Sequence, residues 1–105
     1  MRTETTGPLS PGQLDHYHRA LSHQWRRIVV SVLDRRRTVP RGELAAEIAG
    51  RDGVDSPVDR VELGLHHCHL PMLADADVLE LDGETVRRRE PGFAKLSELN
   101  RRPDV

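Results

Sequence analysis

Four consecutive residues, His66-His67-Cys68-His69, hold the densest set of reactive side chains in the chain. Imidazole and thiol are the usual donors for zinc, and a thiol beside an imidazole is a familiar nucleophile and base. The spacing argues against both uses. On a helix, consecutive side chains point about 100° apart, so the four cannot converge on one ion. Only His66 and His69, one turn apart, share a face, and zinc takes three or four converging ligands. Further donors would have to come from His16, His18, His23 or a second subunit. One turn either side of Cys68 stand Gly64 and Met72, and neither can act as its base. The run therefore reads as helix structure, with Cys68 a small buried thiol on the core stripe and no metal or cofactor bound. No glycine-rich phosphate loop or paired-carboxylate arrangement stands out either. An enzyme is not expected, nor a small-molecule substrate.

The elements around this run are legible from periodicity. Ser10-Pro11-Gly12-Gln13 has the form of a capped helix start. Leu14, Leu21, Trp25, Ile28, Val29, Val32 and Leu33 follow on one stripe, predicting one helix, bent near Ser22, to about Arg36. Leu44, Ala45 and Ile48 predict a short helix from about Pro40 to Ala49, stopped at Gly50. Ser56-Pro57 repeats the start signal for a third helix, through Val61, Leu65, Cys68 and Met72 to about Ala76. Pro71 should kink or break it. Val78 to Leu81 and Glu84 to Arg88 flank Asp82-Gly83, a tight hairpin signal. Phe93, Leu96 and Leu99 predict a last short helix to about Asn100. The expected class is mainly α with a small β-hairpin, the elements of a winged helix-turn-helix: three helices, a two-stranded wing and a C-terminal helix. Residues 1–9 read as a disordered tail, 10–90 as the winged-helix domain, and 91–105 as the C-terminal helix and tail.

The chain has 105 residues, enough for one modest core, and only three aromatics, Tyr17, Trp25 and Phe93. One cysteine excludes an intramolecular disulfide. No apolar run approaches membrane-spanning length and no secretion signal opens the chain, so a cytoplasmic location without membrane association is expected. Net charge is -1, with 15 Arg but only one Lys. Residues 1–42 carry +5, residues 43–84 carry -9 and residues 85–105 carry +3. Low lysine fits either a GC-rich genome or adaptation to high salt.

Several segments resemble the ArsR-like winged helices. Leu21-Ser22-His23-Gln24-Trp25-Arg26-Arg27-Ile28 is similar to that family's first core helix, and Glu43-Leu44-Ala45-Ala46-Glu47-Ile48 to its second. His67-Cys68-His69-Leu70-Pro71-Met72-Leu73-Ala74-Asp75-Ala76 is similar to a segment of an uncharacterised haloarchaeal group of winged-helix domains. The resemblance covers about residues 14–90. It implies a winged-helix fold and a regulatory role. Asp77 stands where the pattern has Gly, a position Asp tolerates, and Met72 replaces a common Lys. The cysteine pair of the metal-sensing members is absent.

Two function classes follow. A DNA-binding transcriptional regulator would place the third helix in the major groove, presenting Arg60, Leu63, Gly64 and His67, with Arg87 and Arg88 of the wing on phosphates or a minor groove. Arg26, Arg27 and Arg35 to Arg37 would add backbone contacts. The acids Asp59 and Glu62, and the acidic wing tip Asp82-Gly83-Glu84, oppose phosphate binding. The alternative is an interaction module, a homodimer or a partner-docking domain. It would use Leu14, Tyr17, Phe93 and Leu99, with basic ends pairing an acidic middle across subunits.

Overall fold

A computed structural model of the chain describes residues 10–102. The tail expected at residues 1–9 lies outside the described residues. The fold is mainly helical with a three-stranded antiparallel sheet. In chain order the elements are α1 (Pro11–Ala20), α2 (Gln24–Arg35), β1 (Thr38–Pro40), α3 (Arg41–Ala49), α4 (58–75), β2 (Leu79–Asp82), β3 (Thr85–Arg88) and α5 (Gly92–Arg101). Among the described residues no helix is long and apolar enough to cross a membrane.

Ser10 starts α1 as expected. Its hydroxyl accepts from the Gln13 amide at 3.2 Å, and the Gln13 side chain accepts from the Ser10 amide at 3.1 Å. The expected single long helix is two helices. The chain leaves helical geometry after Ala20, and His23 turns extended (φ -114°, ψ 135°), its Nδ1 accepting from the Trp25 amide at 3.1 Å. A side-chain cap of this kind starts a new helix axis, so the junction is a break rather than a bend. The second helix, α2, is the centre of the core: Ile28, Val29, Val30, Val32 and Leu33 are all buried.

The fourth helix begins one residue later than expected. Pro57 is its extended N-cap and makes no side-chain capping bond, so Ser56 is not the cap. It runs as α-helix over Val58–Gly64, widens to a π-turn over Leu65–His69, and returns to α-helix over Leu70–Asp75. The Leu70 amide reaches back to the Leu65 carbonyl. Pro71 thus falls in the first turn of the last segment, where a missing N–H costs least. The effect of Pro71 is neither a simple kink nor a break. Beyond Asp75 the chain leaves the helix through Asp77 in the left-handed region (φ 62°). Val78 donates to the Leu73 carbonyl and Asp77 to the Ala74 carbonyl, the paired bonds of a Schellman stop.

The sheet order is β1-β3-β2, so the hairpin carries a third strand, Thr38–Pro40, which periodicity did not signal. Its register places Val39 opposite Val86 and Leu81 opposite Val86 on the other side. The turn is Gly83-Glu84 rather than Asp82-Gly83, because Asp82 pairs with Thr85. Gly83 at φ 62° supplies the positive angle required at the first central position. The last helix, α5, packs on α2 through buried Phe93 and Leu96, and Asn100 donates to the Arg27 carbonyl at 3.2 Å.

Candidate functional site

The outward side of α4 carries the side chains available for contact. Arg60 is exposed, as is Leu63 at 59%. His66, His67 and Cys68 are exposed on the π-turn, with the His66 and His67 rings edge to face at 4.7 Å. Cys68 is therefore not the buried thiol expected from a 3.6-residue stripe. The π-turn holds one residue more than an α-turn, and His69 takes the inward position in its place. For the same reason His66 and His69 do not share a face. Gly64 also leaves the set of outward contacts. A Cβ there would lie 3.0 Å from the Trp25 ring, so this position faces α2.

Behind the exposed run is a buried polar junction. Arg26, at 6% exposure, donates from Nη1 to His69 Nδ1 at 2.9 Å. Its Nε donates to the Ala20 carbonyl at 2.8 Å, and Nη2 to the Arg19 carbonyl at 3.2 Å. The side chain of Arg26 thus closes the open carbonyl end of α1 while holding α4. Arg27 assists by donating to the Leu21 carbonyl at 2.8 Å. Guanidinium has only donors, so His69 accepts through Nδ1 and carries its proton on Nε2. Burial, then the charges of His23 and Arg26, push His69 down to about 4. His23 is lowered by burial and by Arg26 and Arg27. Burial lowers Arg26 too, with Cys68 opposing. The His69 ring packs 4.4 Å from His23 and 5.4 Å from Trp25, centroid to centroid. Arg26 is thus a structural residue rather than the phosphate contact expected of it. The sequence signal was available: Arg26 sits three and four residues before Val29 and Val30, on the buried side of α2.

The hairpin arginines divide by strand geometry, since neighbours on a strand point to opposite faces. Arg87 is on the outer face, bound to Glu80 at 2.8 Å and Asp82 at 3.4 Å. Arg88 is on the inner face and leaves the contact set. It donates to the Leu33 carbonyl at 3.0 Å, pairs with Glu90 at 3.3 Å and lies 5.3 Å from the Phe93 ring centroid.

Part of the charge around α4 is paired within the chain. Arg41 meets Glu62 at 3.5 Å, Arg36 meets Glu43 at 3.1 Å, and Arg35 and Arg51 both meet Glu47. Three arginines of the basic first third, Arg35, Arg36 and Arg41, thus pair with acids of the middle block inside one subunit. Arg60 has no ion-pair partner among the described residues. Between α4 and the hairpin lies a cavity of about 270 Å³, lined by Arg41, His66, Leu70, Pro71, Leu81 and Val86 among others. Tyr17 and Phe93, expected on a docking surface, are buried in the core, whereas Leu14 is 37% exposed. Among the described residues, no three His, Cys, Asp or Glu side chains gather as a metal-holding group.

A family model described as a domain of unknown function, DUF7344, matches residues 18–89. No curated protein and no solved structure matches the chain.

Proposed function

We propose that this chain, which belongs to the DUF7344 family, is a winged helix-turn-helix protein that binds DNA and regulates transcription. In this reading α3 and α4 form the helix-turn-helix, α4 enters the major groove, and the β2–β3 hairpin is the wing. The observation that carries it is the outward side of α4. This side sits directly before the hairpin and presents Arg60, Leu63 and His67, while α4 buries Val61, Leu65 and His69 behind them. Arg60 reads a base edge, and guanine is the geometric match for a guanidinium. His67 and Leu63 contact neighbouring bases. Arg87 exchanges its hairpin carboxylates for a phosphate at the cost of two exposed ion pairs, which are worth little each. The resemblance to ArsR-like winged helices supports the same role.

The test is a gel shift against genomic fragments at low and high salt. Sequence-dependent retention that survives competitor DNA is expected. Retention that competitor removes at every salt level overturns the reading. Arg60→Ala should weaken specific binding by about tenfold, the weight of one good base contact. Arg36→Ala, which breaks an exposed pair with Glu43, should change it far less. Equal effects contradict the docking geometry.

A second reading, a protein-docking or self-associating winged helix, is favoured by three exposed apolar side chains on α4 and the hairpin: Val58 at 41%, Leu63 at 59% and Leu81 at 43%. Sedimentation should then show a dimer that Leu63→Asp separates, and a monomer at high concentration counts against self-association.

A further inference from the structure

The LHHCH turn of α4 has no counterpart in a regular amphipathic helix, and its phase can be worked out from the sequence. The inward residues of α4 are Val61, Leu65, His69, Leu70 and Leu73. In an unbroken α-helix these drift off one face. With one residue removed between Leu65 and His69, they fall at i, i+4, i+7, i+8 and i+11, a continuous core stripe. The π-turn is thus one residue added to a regular helix, absorbed without disturbing the inward faces on either side. The same segment also holds a competing stripe for an unbroken α-helix: Val61, Leu65, Cys68 and Met72. In that alternative Cys68 takes the inward position and His69 loses Arg26. The Arg26–His69 contact at 2.9 Å belongs only to the π form.

We infer that the Leu65–His69 π-turn is a one-residue insertion pinned by Arg26 and His69, and that its role is to push His66, His67 and Cys68 out as a contact bulge. Arg26 and His69 are then positioning residues for the DNA-facing side of α4. π-Turns inside α-helices are frequent at functional sites. Here the displayed side chains lie at the entrance between helix and hairpin, where His66 lines the cavity beside Leu81. The role assigned to the bulge rests on the DNA-binding reading; the insertion itself does not.

Three chains test it: wild type, His67→Ala, and a variant lacking residue His67, the last two each also carrying Pro71→Ala, because a proline inside the regular helix that the deletion creates would itself cost about 3 kcal/mol. The deletion should fold, with a melting temperature equal to or above that of His67→Ala, because it completes a regular core stripe. A deletion variant that melts far below His67→Ala overturns the insertion. On a genomic fragment retained by wild type, the deletion should bind about tenfold more weakly than His67→Ala. That is the weight of one further base contact, broken as His66 and Cys68 are re-aimed. Equal affinity overturns the display role. If wild type retains no fragment, the DNA-binding reading falls, and the insertion is still judged by melting. The pinning is read separately from the single thiol. In Arg26→Met the Cys68 stripe gains the inward position, so an aromatic disulfide reagent should modify Cys68 several-fold more slowly than in wild type. A folded Arg26→Met with the wild-type rate overturns the pinning. If Arg26→Met does not fold, Arg26→Lys, which loses the forked donor, is read by the same reagent, and a wild-type rate there overturns the pinning.

Discussion

His67 and His69 are two residues apart, yet one is exposed on the protein's outer surface and the other is buried against Arg26. The same side chain has opposite chemistry in the two places. His67 faces water and has His66 for a neighbour, so it is free to meet a ligand. His69 is a neutral acceptor held by a guanidinium, with its proton affinity driven down by burial. What separates them is helix phase: side chains two residues apart point about 200° apart, and the π-turn makes His69 rather than Cys68 the inward one. Residue type alone therefore says little about function in this run, and helix phase says most of it.

The comparison is broken most severely by removing the inner partner. Arg26→Ala takes away donors to His69, Ala20 and Arg19 together, leaving the Ala20 carbonyl and His69 Nδ1 without their partner, while the Arg19 carbonyl keeps Ser22. Loss of a buried charged hydrogen-bond network of this kind costs about 3 kcal/mol or more. Urea unfolding should show it as a lower midpoint with the slope unchanged. Wild-type stability in Arg26→Ala would mean that the junction is not what holds α1 and α4 to α2.

A smaller effect should appear on acidification. The folded pKa of His69 is about 4, below the ordinary 6.5, so the unfolded chain binds its proton first as pH falls. The stability from a neutral His69 is therefore fully present above pH 6.5 and is lost as pH falls toward about 4. The charged or titratable groups facing the ring are Arg26 and His23, both of which also disfavour its protonation, with Cys68 beside it in the chain. Melting temperature should fall as pH is lowered through this window in wild type and in His67→Ala alike. In His69→Leu the slope should be much reduced, with His23 supplying what remains. An unchanged slope in His69→Leu would place the titrating group elsewhere.

Gly64→Ala probes the inner face more gently. In an open helix interior, Gly to Ala stabilises by about 1 kcal/mol, and Gly42, in the first turn of α3 with nothing within 4 Å of an added Cβ, should show a part of that gain. At Gly64 the new Cβ would lie 3.0 Å from the Trp25 ring, so the indole must shift against His69. The gain should disappear and turn into a loss of about 1 kcal/mol, the lower range for overpacking a core. Paired thermal melts of the two variants measure the difference directly.

These side chains also show how far the sequence could be read. The capping box at Ser10, the Gly50 stop, the left-handed tolerance of Asp77 and the last helix were all legible, because each depends on a few neighbouring residues. The break at His23 was not, since an imidazole cap is an uncommon helix start. The strand Thr38–Pro40 was hidden because its pairing partner, β3, lies far along the chain. In the candidate site, Arg60, Leu63 and His67 were placed outward correctly by helical spacing alone. Gly64, Arg88 and Cys68 were not. Gly64 depends on where Trp25 packs, Arg88 on the alternation of a strand against α2, and Cys68 on a register change that a 3.6-residue template cannot express. Arg26 was misread because a charged residue was assumed to face water, although its position beside Val29 and Val30 said otherwise.

The smallest stability effect expected is the one that sharpens the contrast most. His67→Ala removes an exposed ring whose neighbour, His66, is itself exposed. Surface substitutions of this kind shift stability by less than about 0.5 kcal/mol, and alanine's helix preference partly offsets the removal of the ring. Melting and urea midpoints should therefore match wild type. Against that quiet background any loss of DNA retention belongs to the binding surface and not to the fold. The equivalent change at His69 cannot make this distinction, because removing the acceptor leaves an Arg26 donor unpaired and alters stability at once. Should His67→Ala prove as destabilising as His69→Ala, the two histidines share one structural role. The π-turn would then have no outward purpose to explain it.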